Sequence, residues 1–405
     1  MKNVLGRLRA LRMAGTALAG VACSGSIAAG AVERLAPSYH GTTYERLAIP
    51  SAAYRLTSPV APATNGPRYG VIDLGAGRPA TSGATRFPVS IDRAGRVLLD
   101  GYRLGPAGGL FPNDAVVIDA DGTSVALREA CPACDPTPLS RSTFSALALG
   151  DAGTVVGSWN DYLPGPARLP SSEAYDLTYF VRWTLHGGSF SVAQVGFGTR
   201  DAAYAVNARG IAAGQDGTFA ATFARNGYAT DLGTLQNTNC DARATAIDDA
   251  GVVAGFACAG DSSVAVTFPA SGPAQPLAGG AAPSAAQAIN ASGSIVGFSG
   301  ASACVWARGR TTLLPFPSGS HATSAVAYAI DDGGDVVGDV YFGEPGAQDV
   351  GGFVYARGRT YLLDTLLPRN SGWRVVHVTG IDRRGDIVGV GIHAGVFAPV
   401  MLRRF

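Results

Sequence analysis

The side chains able to do chemistry in this 405-residue chain are few, and their spacing decides what each allows. Cys131 and Cys134 bracket Pro132-Ala133 in a stretch that also holds Pro136 and Pro138. A redox pair of that spacing wants a helix N-terminus to stabilise its thiolate, and a proline-broken loop offers none, so a disulfide is expected. Cys240 and Cys258 flank one hairpin and are expected to form a second bridge, provided they face each other across its strands. Cys304 lies in the apolar run Ala303 to Trp306, the setting of a buried free thiol. His40, His186, His321, His377 and His393 are scattered, with no His-Glu-x-x-His and no paired spacing, so neither a zinc site nor any other metal or cofactor is expected. Lys2 is the only lysine and falls in a segment expected to be removed. Schiff-base lysines, Ser-x-x-Lys nucleophiles and phosphate-loop lysines are thereby excluded from the remainder. Gly75-Ala76-Gly77-Arg78-Pro79-Ala80 fits a dinucleotide fingerprint, but no amphipathic helix follows it. Asp119-Ala120-Asp121-Gly122 shares the start of a calcium loop and lacks its closing Glu, which leaves turn chemistry as the better account.

Two further sets stand out by position. Phe111, Trp159, Tyr162, Tyr175, Tyr179, Tyr341 and Phe342, with the acids Asp114, Asp161, Glu173, Asp176 and Glu344, fall in stretches that read as long insertions. Aromatic anchors on loops are the composition of a protein or glycan recognition surface. Asp92, Asn207, Asp248, Asn290, Asp331 and Asp382 recur at one place in a repeated phrase. They are expected to ring one mouth of an axial channel, where the plain role is to cap their own turns and the sharper one is to share a cation.

That phrase is the element that must position everything else. A small residue, an aliphatic, Asp or Asn, two residues, Gly and then an aliphatic run are written seven times, usually closed by another Gly. The copies run from Val89 to Gly101, Ala146 to Gly157, Ala205 to Gly214, Ala244 to Gly255, Gln287 to Gly297, Tyr328 to Gly338 and Thr379 to Gly389. Their turn glycines recur at intervals of roughly 40 to 60 residues, a period that with strand content marks a ring of four-stranded units. In the copy Ala244 to Leu277, Ala244-Thr245-Ala246-Ile247 reads as a strand, Asp248 to Gly251 as a turn and Val252 to Phe256 as the returning strand. Ala265 to Phe268 and a weaker run around Gln275 to Leu277 complete the unit. Small residues in the first strand place it innermost, where the units converge.

The ends of the chain imply closure. The last unit has first, second and third strands (Val375 to Ile381, Ile387 to Gly391, Val396 to Leu402) and no fourth. Tyr69 to Gly75 stands alone before the first unit and matches the fourth strand Tyr228 to Gly233. The expected fold is therefore an all-β, seven-bladed β-propeller of four-stranded blades, closed by the N-terminal strand joining the last blade. Three segments follow: a signal peptide over 1–31, a linker over 32–67 and the propeller over 68–405. The signal peptide rests on the basic start Lys2, Arg7, Arg9 and Arg12, the apolar stretch Met13 to Ala22 and the small residues Ala29-Gly30-Ala31. Cys23 after Gly20-Val21-Ala22 is a candidate lipid-attachment site, so secreted, periplasmic and lipid-anchored locations stay open. No other segment reaches the length of a spanning helix.

The phrases Asp231-Leu232-Gly233-Thr234-Leu235, Ala288 to Gly297 and Ala303-Cys304-Val305-Trp306 resemble the bacterial extracellular repeats named HAF, over about residues 69 to 405. Where that family tends to carry His-Ala-Phe, this chain has Ser302-Ala303-Cys304 and Gly351-Gly352-Phe353. The resemblance implies an exported, propeller-like bacterial protein and no particular activity. The formal net charge of +1 gives no case for a nucleic-acid partner. The function expected is a monomeric binding module for an unknown protein or glycan. Alternatives are an extracellular carbohydrate-active enzyme using acids such as Asp161, Glu173 or Glu344, and a surface-structural protein without a specific ligand.

Overall fold

The computed structural model describes residues 66–75, 85–104, 110–112, 115–127, 141–163, 175–186, 188–195, 201–235, 241–343 and 349–405. The signal peptide, Cys23, nearly all of the linker, Cys131, Cys134, Cys240, Asp114, Glu173 and Glu344 lie outside these residues. Seven antiparallel sheets follow one another along the chain, and the helical content of the described residues is one short turn, Leu363–Leu366.

Blade 1 comprises Thr85–Ile91, Val97–Leu104, Val116–Ile118 and Ser124–Ala126, with Leu110–Pro112 added beside its second strand. Blade 2 comprises Arg141–Gly150, Thr154–Leu163, Tyr175–His186 and Ser189–Val195, and blade 3 comprises Ala202–Val206, Ala212–Asp216, Phe219–Phe223 and Ala229–Gly233. Blade 4 holds Ala242–Ile247, Val253–Ala259, Ser262–Phe268 and Gln275–Pro276; blade 5 holds Ser284–Ile289, Ile295–Ser299, Ser302–Ala307 and Arg310–Leu313. Blade 6 is Ala322–Ile330, Val336–Phe342, Asp349–Ala356 and Arg359–Leu362. Blade 7 takes Trp373–Ile381, Ile387–His393 and Val396–Arg404 from the end of the chain and Tyr69–Asp73 from its beginning, pairing Tyr69 with Arg404 and Asp73 with Val400. This is the closure that the unpaired N-terminal strand implied.

The first strands touch one another around the whole ring, blade 7 to blade 1 included, which makes them innermost. Each interface between neighbouring blades holds its own apolar cluster. Between blades 1 and 2 it is Leu98, Val117, Phe144, Trp159 and Trp183; between 6 and 7, Val337, Val354, Val378 and Leu402 with Tyr69; between 7 and 1, Val388 and Met401 against Val97 and Val116. A four-stranded sheet is marginal alone, and these clusters supply what it lacks.

The repeated phrase explains the hairpin that opens each blade. Its turn glycines, Gly95, Gly153, Gly210, Gly251, Gly293, Gly334 and Gly385, all take a φ between +74° and +96°, which side-chain-bearing residues avoid. Each donates its N–H to the carbonyl three residues back at 2.9 to 3.2 Å. Two residues before every turn the first strand carries a β-bulge, whose extra residues are Val89, Leu147, Tyr204, Thr245, Gln287, Tyr328 and Thr379. The bulge aims a first-strand carbonyl at the closing glycine of the second strand. A Cβ on Gly157, Gly214, Gly255, Gly297, Gly338 or Gly389 would lie 1.8 to 2.1 Å from the oxygen of Ser145, Ala202, Arg243, Ala285, Val326 or His377. Blade 1 departs from the expected phrase. Gly101 pairs with Arg86, and the position equivalent to the other closing glycines, facing Pro88 beside the bulge, is Leu99.

Candidate functional site

A four-stranded blade sends two kinds of connection to each end. The tight turns between first and second strands, and between third and fourth, share one end. The links between second and third strands, and from blade to blade, share the other. The two ends differ in chemistry.

At the turn end a single side chain closes the axis. Arg93 of blade 1 places Nη1 2.8 Å from Asp249 Oδ2 of blade 4 and 3.2 Å from Asp151 Oδ2 of blade 2, and Nε 3.5 Å from Asp332 Oδ2 of blade 6. One guanidinium reaches four blades only by lying on the ring axis. Each of the three carboxylates spends its other oxygen on the preceding blade, accepting from Arg93 N–H at 2.9 Å, Ala208 N–H at 2.8 Å and Ala291 N–H at 3.1 Å. The Ala208 N–H, followed by Arg93, holds the Asp249 carboxyl below its ordinary range. One arginine thus bridges three carboxylates at this mouth and offsets one of their three negative charges.

The residues expected to ring that mouth behave as turn caps. Asp92 Oδ1 accepts from Ala94 and Arg96 N–H, Asp248 Oδ1 from Gly251 and Val252 N–H, and Asp382 Oδ1 from Arg384 and Asp386 N–H, at 2.7 to 3.0 Å. Asn207, Asn290 and Asp331 accept in the same way from Ile211, Ser294 and Asp335 N–H. All six are buried. Burial pushes the carboxyls of Asp92, Asp331 and Asp382 up, against the pull of these hydrogen bonds. Asn207 Nδ2 and Asn290 Nδ2 also donate to the carbonyls of Asp248 and Asp331, stitching each turn to the next blade. The residues that meet on the axis, Arg93, Asp151, Asp249 and Asp332, stand one position later. Asp119 and Asp121 likewise serve their own turn, with Asp121 Oδ1 accepting from Thr123 N–H at 2.8 Å.

At the link end the expected aromatic anchors separate into two groups. Trp159, expected to open a long loop, is instead a mid-strand residue paired with Phe144 and Tyr179, 4% exposed and packed among Leu98, Phe144 and Trp183. The hairpin of blade 2 continues to the pair Leu163 and Tyr175, so strand alternation turns Trp159 into the interface with blade 1. Tyr341 is 1% exposed, its hydroxyl 3.2 Å from that of Tyr328. Neither is available as a surface anchor. Tyr179 also sits within the paired strand, while Tyr162 is the next-to-last residue before the link 164–174 and Tyr175 the first after it. Phe111 lies in the added strand of blade 1, which packs beside the first strand of blade 2. Phe342 ends the second strand of blade 6, half-buried against Val340 and Phe353. The rim at this end therefore brings Phe111, Tyr162 and Tyr175 onto adjacent blades, with Phe342 on blade 6.

Polar residues that the sequence did not single out line the same end. Asp339, fully buried on blade 6, holds His377 Nδ1 of blade 7 at 2.6 Å through Oδ2 and accepts from Val378 N–H at 3.0 Å through Oδ1. Tyr328 meets the His377 ring edge-on at 5.4 Å. Burial raises the Asp339 carboxyl and His377 opposes that rise. In the equivalent place between blades 3 and 4, Arg243 Nε donates to Gln215 Oε1 at 3.1 Å and its guanidinium lies over Tyr204 and Phe256. Asp201 and Asp216 face each other at the same end of blade 3. The residue following the closing glycine carries these contacts, a signal visible in the sequence only once the bulge fixes the register. Among the described residues no group of three or more His, Cys, Asp or Glu side chains is arranged to hold a metal ion.

Cys304 is the free cysteine among the described residues, buried between blades 4 and 5, and burial pushes its thiol far above the ordinary range. Cys258 lies on blade 4 opposite Ser263. No helix among the described residues is long and apolar enough to cross a membrane.

No family model matches the chain, so the HAF resemblance gains no support there, and no curated protein sequence matches it. Among solved structures the chain is similar to the β-propeller domain of the Trilobed protease from Pyrococcus furiosus, at 8% identity and a TM-score of 0.41, over 79% of this chain and 97% of that one. It is also similar to the Pyrococcus horikoshii acylaminoacyl peptidase, at 11% identity and a TM-score of 0.43, over 79% of this chain. A mutant of Trypanosoma rangeli sialidase displaying trans-sialidase activity follows at 9% identity and a TM-score of 0.35, over 86% of this chain. This chain covers 51% and 57% of the length of the last two. Likenesses this distant concern the fold alone.

Proposed function

We propose that this chain is an exported, HAF-like bacterial binding module that engages a protein or glycan through the link end of its propeller and acts as a monomer. The observation that carries this reading is the inequality of the two ends. The turn end is tied shut by Arg93 against Asp151, Asp249 and Asp332. The link end collects the added strand of blade 1, the long hairpin of blade 2 and the rim positions of Phe111, Tyr162, Tyr175 and Phe342. A rigid scaffold carrying variable links at one end is a common arrangement for recognition. Export rests on the N-terminal segment 1–31, read as a cleaved signal peptide with lipid attachment at Cys23 as the alternative, and a bridge between Cys240 and Cys258 suits an oxidising compartment.

Glu173 and Glu344, on which a carbohydrate-active reading rests together with Asp161, lie outside the described residues, and the described acid pair Asp201 and Asp216 lends that reading no support. Two glycosidase carboxyls stand about 5 to 9 Å apart, with the sugar bond between them. Asp201 and Asp216 are hydrogen-bonded to each other, which leaves no such gap.

The test uses the chain from residue 32 onward and a variant whose links 105–109, 164–174 and 344–348 are replaced by Gly-Ser of equal length. Both are screened on a glycan array and against cell-envelope extract. The parent is expected to capture a ligand that the variant binds at least about tenfold more weakly, roughly 1.4 kcal/mol, at an unchanged melting temperature. Equal binding by the two proteins would place recognition elsewhere.

A further inference from the structure

Strand register brings two carboxyls together at the link end of blade 3. Ala202 pairs with Gln215, so Asp201 immediately before the first strand stands opposite Asp216 at the end of the second. Asp201 is 2% exposed, and its Oδ1 has no hydrogen-bond partner. Its other contacts are a hydrogen bond with Asp216 and one from the Gly217 backbone. Two carboxylates this close cannot both ionise cheaply, so they hold one proton between them.

We propose that Asp201 and Asp216 form a proton-sharing latch that keeps the link end of blade 3 closed while one proton is present and loosens it when that proton is lost. Among the described residues the surroundings offer no substitute for the proton. The fourth strand of blade 3 contributes Asp231, a third negative charge. The second strand of blade 2, which packs against the first strand of blade 3, contributes the neutral Ser158, whose buried Oγ is itself unpartnered. On the side of blade 4 stand Asp241, which acts on Tyr204, and Arg243, which is engaged by Gln215 and the Tyr204 and Phe256 rings. Burial first, and Asp216 second, push the Asp201 carboxyl up to about 7.

The sign of the effect follows. In an unfolded chain the Asp201 carboxyl would ionise at its ordinary value of 3.8, whereas the folded protein keeps the proton to about 7. Between those values the folded state binds more protons than the unfolded one, so the latch weakens as pH rises through the window and is fully open above it. Loosening is transmitted along the chain, because Thr218 in the same hairpin accepts from Ala242 N–H at 2.9 Å, where the link from blade 3 enters blade 4. The latch thus sits at the link end of blade 3, beside the start of blade 4.

Amide hydrogen exchange, corrected for the intrinsic pH dependence of exchange, tests this on the intact chain. Protection over residues 201–219 is expected to be at least about tenfold lower at about pH 8.5 than at about pH 5.5, while the blade 5 hairpin Ser284–Ser299 is unchanged. Asp201→Asn should abolish the difference, and Asp216→Asn, which removes the like charge and leaves Asp201 in place, should shrink it. Equal protection in the parent at both pH values, or an undiminished difference in both variants, overturns the latch. Should Asp201→Asn fail to fold, the Asp216→Asn comparison decides alone.

Discussion

Deletion of Arg68 to Gly75 is expected to leave a protein that aggregates or unfolds at temperatures where the parent is native. Five backbone pairs join Tyr69–Asp73 to Val400–Arg404, and Tyr69, 1% exposed, packs with Val337, Val354, Val400 and Leu402 across the interface of blades 6 and 7. Losing one buried aromatic costs about 3 to 5 kcal/mol, and net stabilities are only about 5 to 15 kcal/mol. The deletion also exposes the whole edge of Val396–Arg404, an unpaired strand that invites association with other chains. Sedimentation and thermal melting of the variant check this. A monomer with the parent's melting curve would show that blade 7 is complete without the N-terminal strand.

Gly255→Ala is expected to be far more damaging than Gly293→Ala, although both glycines belong to the same phrase. At Gly255 a Cβ would meet the Arg243 carbonyl oxygen at 1.9 Å, its carbon at 2.9 Å and the Ala244 Cα at 3.0 Å. All three are backbone atoms of the partner strand, so the hairpin itself must part, at a cost of about 3 kcal/mol or more. Gly293 has open space around it and a φ of +76°, so alanine there meets only the backbone preference, about 1 kcal/mol. Denaturant midpoints for the two variants give the comparison. Equal losses would mean that the close approach between the first two strands is not what the closing glycine serves.

The architecture was legible because it is written seven times in local chemistry. Asx followed three residues later by Gly dictates the turn, small first-strand residues dictate the crowded axis, and the unpartnered stretch around Tyr69 dictates closure. The site was less legible because its features depend on register and on blades far apart in sequence. Arg93 meets Asp249, 156 residues away, and no spacing along the chain announces that contact. Trp159 read as a loop residue because the stretch that follows the closing Gly157 reads as a long insertion, yet pairing continues to Leu163 and the indole turns inward. Asp201 and Asp216 lie fifteen residues apart on strands whose bulge shifts the register, so their meeting follows only from the observed ladder.

Closure of the ring is the central claim of the fold, since it gathers the seven turn ends around one axis, where Arg93 of blade 1 meets blades 2, 4 and 6. Native-state hydrogen exchange of the unmodified chain tests it most directly. The ladder amides of Tyr69–Asp73 are expected to exchange as slowly as those of Val400–Arg404, through the same global opening. Exchange of Tyr69–Asp73 at the rate of an unstructured segment, with Val400–Arg404 still protected, would contradict the closed seven-bladed ring.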